Sequence, residues 1–149
     1  MKTRIAIVLL AAAAALGVAG CKTPAVPQAI TAVQLFETGV QVALSTAQVV
    51  WAGVMPLLPP AAAAQDQQLF DAAVVVVNDS LSTLNDAITV AQQTQNPNPD
   101  FSALSAAVTD ALQKVLAIVD QFRGTAVPPG YDSFKARVTA LKLTPVKSP

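Results

Sequence analysis

The chain has 149 residues, which suits one domain. Lys plus Arg and Asp plus Glu are nine each, so the formal net charge is zero, and charged residues make up only 12% while apolar ones reach 53%. There is no His and a single Cys. This excludes His-based acid–base or nucleophilic catalysis, His-ligated metals, an internal disulfide framework and a Cys-rich zinc site. No basic excess supports nucleic-acid binding. Walker A, dinucleotide-binding and metal-ligand spacings are missing, and Ser80, Ser82 and Ser105 have no His to activate them. Asp79 and Asp86 are seven residues apart on one helix face, about 10 Å by helical rise, too loose for a catalytic pair. The sequence therefore predicts a protein that is not an enzyme and needs no cofactor.

The N-terminus carries the most specific signal. Lys2 and Arg4 precede an unbroken apolar run from Ile5 to Leu16. That run is a signal-peptide core, shorter than the ~20 residues of a membrane span. Val18-Ala19-Gly20-Cys21 follows it, and Cys21 is the only Cys in the chain. With the cations and the apolar run, this segment resembles the lipobox signal peptide of bacterial lipoproteins, over residues 1–23 only. The resemblance implies cleavage between Gly20 and Cys21 and a diacylglycerol on the Cys21 thiol. It also implies an address in the cell envelope. In Gram-negative lipoproteins an Asp after the Cys favours retention at the inner membrane. Lys22 stands there instead, which implies sorting to the outer membrane, with the periplasmic face favoured. In a host of another type the anchor would lie in the cell membrane. No specific family is recognised for the mature part.

On this reading residues 1–20 are a signal peptide, 21–27 a lipidated tether stiffened by Pro24 and Pro27, 28–143 a helical bundle and 144–149 a flexible tail. Pro-rich breaks at 56–60, 97–99 and 128–129 divide the bundle. Between them apolar residues recur by three and four. The first segment has Val33, Phe36, Val40, Ala43, Ala47, Val50 and Val54. The second runs from Phe70 through Val77 and Leu84 to Ala91, the third from Phe101 through Val108 and Val115 to Phe122. A short fourth has Tyr131, Phe134, Val138 and Leu141. The run Val74–Val77 favours a strand locally, but the longer helical pattern outweighs it. The spacing predicts helices near 28–55, 62–95, 99–123 and 133–142. Asn98 is the expected cap of the third helix and Asp132 that of the fourth. Short connections between long helices favour antiparallel neighbours. The predicted fold is all-α, an antiparallel three-helix bundle with a short fourth C-terminal helix.

Several rows repeat every seven residues. On the second helix, Asp71, Asn78, Asn85 and Gln92 form a polar arc, read as a solvated face or a recognition surface. On the first, Gln34, Gln41 and Gln48 form another. The uncharged stretch between Glu37 and Asp66 raises a membrane span at 40–58, but this polar arc and Pro56 suit a globular or interfacial helix better. Ala32, Gly39, Thr46 and Gly53 make a small-residue stripe, either close packing inside the bundle or a helix-docking groove for a partner or a second copy. Leu35, Val42 and Val49 add an apolar row, which becomes an interaction patch if no neighbour uses it. Trp51 either caps the bundle end or touches a membrane interface. Charge is segregated: residues 23–134 carry −7 and residues 135–149 carry +4. The cations at the end suit a solvated tail or a weak contact with anionic lipid, cell-wall polymer or the acidic bundle.

These features predict a membrane-anchored structural or adaptor lipoprotein that acts through helix faces on an envelope protein or on itself. The alternatives are a carrier or sensor of an apolar ligand within the bundle, and a phage-type lysis or exclusion lipoprotein.

Overall fold

The computed structural model describes residues 28–96 and 99–141. Among them every regular element is helical: α1 Gln28–Val54, a 3₁₀ turn Met55–Leu57, α2 Pro60–Gln93, α3 Ser102–Arg123 and α4 Tyr131–Ala140. The all-α class and the four helices of the sequence reading are present. Pro27, Asn98 and the tail at 144–149 lie outside the described residues.

Local chemistry explains the boundaries. Pro60 opens α2 because a first-turn residue needs no N–H partner and its φ is already helical. The Pro59 carbonyl accepts from the N–H groups of Ala62 and Ala63 at 2.9 and 3.1 Å. The valine run at 74–77 is helical, its cost in β-branched crowding offset by burial of Val77. α2 ends where Gln95 takes a left-handed φ of 49° and Asn96 N–H bonds back to the Ala91 carbonyl.

Three expected starts are displaced, the first being that of α2, which begins at Pro60 rather than near 62. α3 begins at Ser102 rather than near 99, and the Asp100 carboxylate accepts from the Ser102 N–H at 2.9 Å. The side-chain and backbone hydrogen bonds from Ser102 hold the Asp100 carboxyl below its usual range. α4 begins two residues earlier than expected, at Tyr131. Its cap is Gly130, at φ 84°, whose carbonyl accepts from Phe134, so Asp132 lies in the first turn instead of capping it.

α2 packs along α3, α1 packs on α3 and α4, and α1 and α2 approach each other far less closely. The core lies where the periodicity placed it. Val33, Val40, Ala47, Val50 and Val54 of α1 meet Val77 and Leu84 of α2 and Val108, Val115 and Val119 of α3, with Phe134 closing the α4 side. Trp51 joins three helices. Its indole stacks on Phe70 of α2 with centroids 4.6 Å apart and meets Phe122 of α3 edge-on at 5.8 Å. Its Nε1–H donates to Gln67 Oε1 at 2.8 Å, and Gln67 donates onward to Asp71 at 2.7 Å.

A polar clasp fixes the α3–α4 corner. Asp120 accepts from Arg123 Nε at 2.9 Å and from the Tyr131 hydroxyl, while the guanidinium lies 4.0 Å over the Tyr131 ring and donates to the Ala126 carbonyl. Burial pushes the Asp120 carboxyl up, but the two hydrogen bonds and the charges of Arg123 and Lys135 outweigh it and leave it below its usual value. A carboxylate with a lowered folded pKa stabilises fully above its unfolded pKa and loses that contribution as pH falls through the folded value. Asp120→Asn should therefore lower stability at pH 7 and flatten the loss of stability below about pH 4. Urea denaturation across pH 2–7 checks this, and an unchanged acid limb would refute it.

Candidate functional site

Gly20 and Cys21, the expected cleavage and lipid-attachment residues, and Lys22 after them lie outside the described residues. The other sequence-derived candidates fall on α1, whose faces the structure assigns one by one.

The small-residue stripe is half-buried beneath α4 and the loop before it. A Cβ built on Gly39 would lie 2.9 Å from Leu141 Cδ2, and one on Gly53 would lie 3.0 Å from Pro128 Cβ. Gly130 sits between them, against the methyl groups of Thr46 and Val50. α4 thus runs along the Gly39–Thr46–Gly53 row, and the absence of side-chain bulk lets it come close. The groove suggested for a partner is filled by this chain's own C-terminal helix. Ala32 continues the same row toward the start of α1 and is also half-buried.

The flank on the other side of the α1 core faces α2. Parts of the two polar arcs, read separately in the sequence, line one groove. Gln41, Ser45 and Gln48 face Asn78, Ser82 and Asn85 across a space of about 480 Å³ floored by Leu44 and Leu81. A neighbouring space of about 510 Å³ continues it past Gln48 and Val74 to Trp51, Gln67 and Asp71. Glu37 closes one end, accepting from Asn85 Nδ2 at 2.6 Å and from Gln41 Nε2 at 3.5 Å. The Ser45 hydroxyl donates to the Gln41 carbonyl, so the amides are the groove's adaptable donors and acceptors. No row on one helix reveals this convergence. Only the register between α1 and α2 does.

Trp51 is 2% exposed, as the end-capping reading expects of an aromatic and a membrane-interface reading does not. The apolar row faces outward: Leu35, Val42 and Val49 are 71, 40 and 60% exposed. Segments 28–57 and 102–123 are long and apolar enough to cross a membrane by length and composition. In both, the most buried valines are engaged in the shared core. Among the described residues no group of three carboxylate, thiol or imidazole side chains comes together as a metal site. Asp79 and Asp86 are exposed on α2.

Comparison with protein-family models, curated proteins and solved structures returns no match.

The glycine stripe gives a graded test. Alanine gains up to about 1 kcal/mol over glycine within a helix. At Gly39 the obstacle is the far end of a flexible leucine, and at Gly53 it is a rigid proline ring, where crowding costs about 1–3 kcal/mol. Gly39→Ala should be neutral or stabilising and Gly53→Ala the less stable of the two by chemical denaturation. The reverse order would show that Leu141 yields less than Pro128 and would contradict this ranking of the two contacts.

Proposed function

We propose that the chain is a bacterial lipoprotein whose mature part is a small non-catalytic bundle. Lipidated Cys21 holds it on a membrane, and it acts as an envelope structural or adaptor protein through helix-face contacts. The observation that carries this is the lipobox-like Val18-Ala19-Gly20-Cys21 after a short apolar run, with the chain's sole cysteine at its end. Each buried CH₂ of an acyl chain contributes about 0.8 kcal/mol, and two or three chains retain a protein without a protein span. Lys22 after the cysteine favours the outer membrane in a Gram-negative host, with the bundle on the periplasmic side.

We read the bundle as up-down-up, three antiparallel helices with α4 laid on α1. The pairs Trp51–Phe70 and Glu37–Asn85 run in opposite senses along α1 and α2, which supports it. Leu141 beside Gly39 and Gly130 beside Val50 do the same for α1 and α4. The amide-lined groove between α1 and α2 is the surface best suited to a partner. Its Gln and Asn side chains offer both donors and acceptors, as an extended peptide backbone does. That lining favours protein contact over an apolar cargo.

Cys21→Ser should abolish metabolic palmitate labelling and leave a precursor that retains the first 20 residues. Gel mobility and intact mass of the membrane fraction read this out. Undiminished labelling of the variant would refute the anchor.

A further inference from the structure

Most of the surface of α1 is accounted for by the core, by α4 and by the groove toward α2. The arc left over is the one opposite the core. It carries Leu35, Val42 and Val49 on one row and Thr31 and Thr38 on the next, with Ser45 and Ala52 where that row meets the groove. The apolar row extends about 21 Å from Leu35 to Val49. Val127, in the loop next to the Pro128 that covers Gly53, is 63% exposed as well.

This arc is unusually easy to dry. Thr38, Ser45 and Thr46 donate their hydroxyls to the carbonyls of Gln34, Gln41 and Val42 at 3.0, 3.0 and 2.8 Å, so removing water leaves those donors satisfied. It bears no charge. Glu37, the one ionisable group of α1, is turned into the groove and held by Asn85. α4 lies along the row adjoining Leu35, Val42 and Val49. On α4, Lys135 acts on Asp120 and Tyr131, which places that flank toward α3, and Asp132 is one turn before it. Arg137 is exposed two residues further on, about 200° round the helix, on the flank away from α3. The helix that flanks this apolar, carboxylate-free strip thus carries an exposed cation.

The chain before α1 says what covers this strip. Six residues separate Cys21 from Gln28, at most about 25 Å of extended chain. If Cys21 carries lipid, α1 starts within that distance of the bilayer. We propose that the outward face of α1 is a membrane-docking face: Leu35, Val42 and Val49 settle at the lipid surface to which Cys21 is anchored, and Arg137 meets anionic headgroups alongside. The helix lies in the interface plane, as amphipathic interfacial helices do, and the α1–α2 groove is left open to the aqueous side. The proposal rests on the lipoprotein reading and extends it from an anchor to a defined orientation.

The test uses the full lipidated chain in vesicles of phosphatidylethanolamine and phosphatidylglycerol. Lipidation turns Cys21 into a thioether, so a cysteine introduced by Val42→Cys is the only free thiol and takes a fluorophore selectively. Val75→Cys, at a position 55% exposed on α2, is the comparator, and Val49→Cys repeats the measurement on the same row. Both rows are solvent-exposed, so helical circular dichroism should match the parent. The docking face predicts several-fold stronger quenching by lipid-borne nitroxide at positions 42 and 49 than at 75, with the opposite order for aqueous iodide. Equal quenching at all three positions, in protein that floats with the vesicles, would overturn the docking face and leave the anchor intact. Failure to float would overturn both. Label self-quenching at 42 that disappears on dilution with unlabelled protein, without lipid quenching, would overturn it in favour of a second copy as the occupant.

Discussion

The arrangement of the helices depends on one side chain. Among the described residues, the ring of Trp51 meets both other long helices, stacked on Phe70 and edge-on to Phe122. Aromatic pairs of this kind contribute about 0.5–1.5 kcal/mol each beyond the area they bury. Its indole N–H is committed to Gln67, so the ring is fixed in rotation as well as position. Because α1 and α2 otherwise approach each other only loosely, the junction sets their separation and register. The groove between them follows from that. A large aromatic at one end holds the two helices apart, and the Glu37–Asn85 bond ties them at the other. Between these ties the flanking positions are amides and hydroxyls, which tolerate water where an apolar lining would collapse.

α1 then divides into four faces with different tasks. Valines and alanines every three or four residues build the core. A row without bulk admits α4, whose position is secured by the Asp120–Arg123–Tyr131 clasp at the preceding corner. A row of glutamines looks into the groove. The last face has apolar side chains and internally bonded hydroxyls and no neighbour within the described chain. Each property is a consequence of residue type at a given heptad position, and the four together leave a helix with one charge in 27 residues.

The helices and most of the core were legible in the sequence, because burial on one side of a 3.6-residue period leaves a pattern that no local propensity erases. Every position of the three-and-four pattern from Val33 to Val54 is buried, and Val74 to Val77 folds as helix despite its strand propensity. The misplaced starts have local causes. At α3 the side chain of Asp100 satisfies Ser102, and at α4 Gly130 adopts a positive φ. Neither choice is visible until the backbone conformation is known. Trp51 gave two readings because an amphipathic ring is equally suited to a core edge and to an interface. The small-residue stripe showed that something comes close but not what, since the complementary surface belongs to a distant stretch of chain. The groove was illegible for the same reason: its two walls are ordinary polar arcs until α1 and α2 are set in register. The lipobox-like stretch at 18–21 is the opposite case: the resemblance rests on residue types at adjacent positions, so it is legible without the fold.

On the proposed anchoring, α1 is a core helix lying on a membrane and not through it, with Trp51 closed inside the bundle. As the only tryptophan, Trp51 reports on this without any substitution. The most direct measurement is its fluorescence in the full lipidated protein on vesicles, titrated with aqueous acrylamide and with brominated lipid. The account predicts a blue-shifted emission that is weakly quenched by both agents until denaturant opens the bundle. Strong quenching by the brominated lipid in the folded protein would place the end of α1 in the bilayer and contradict it.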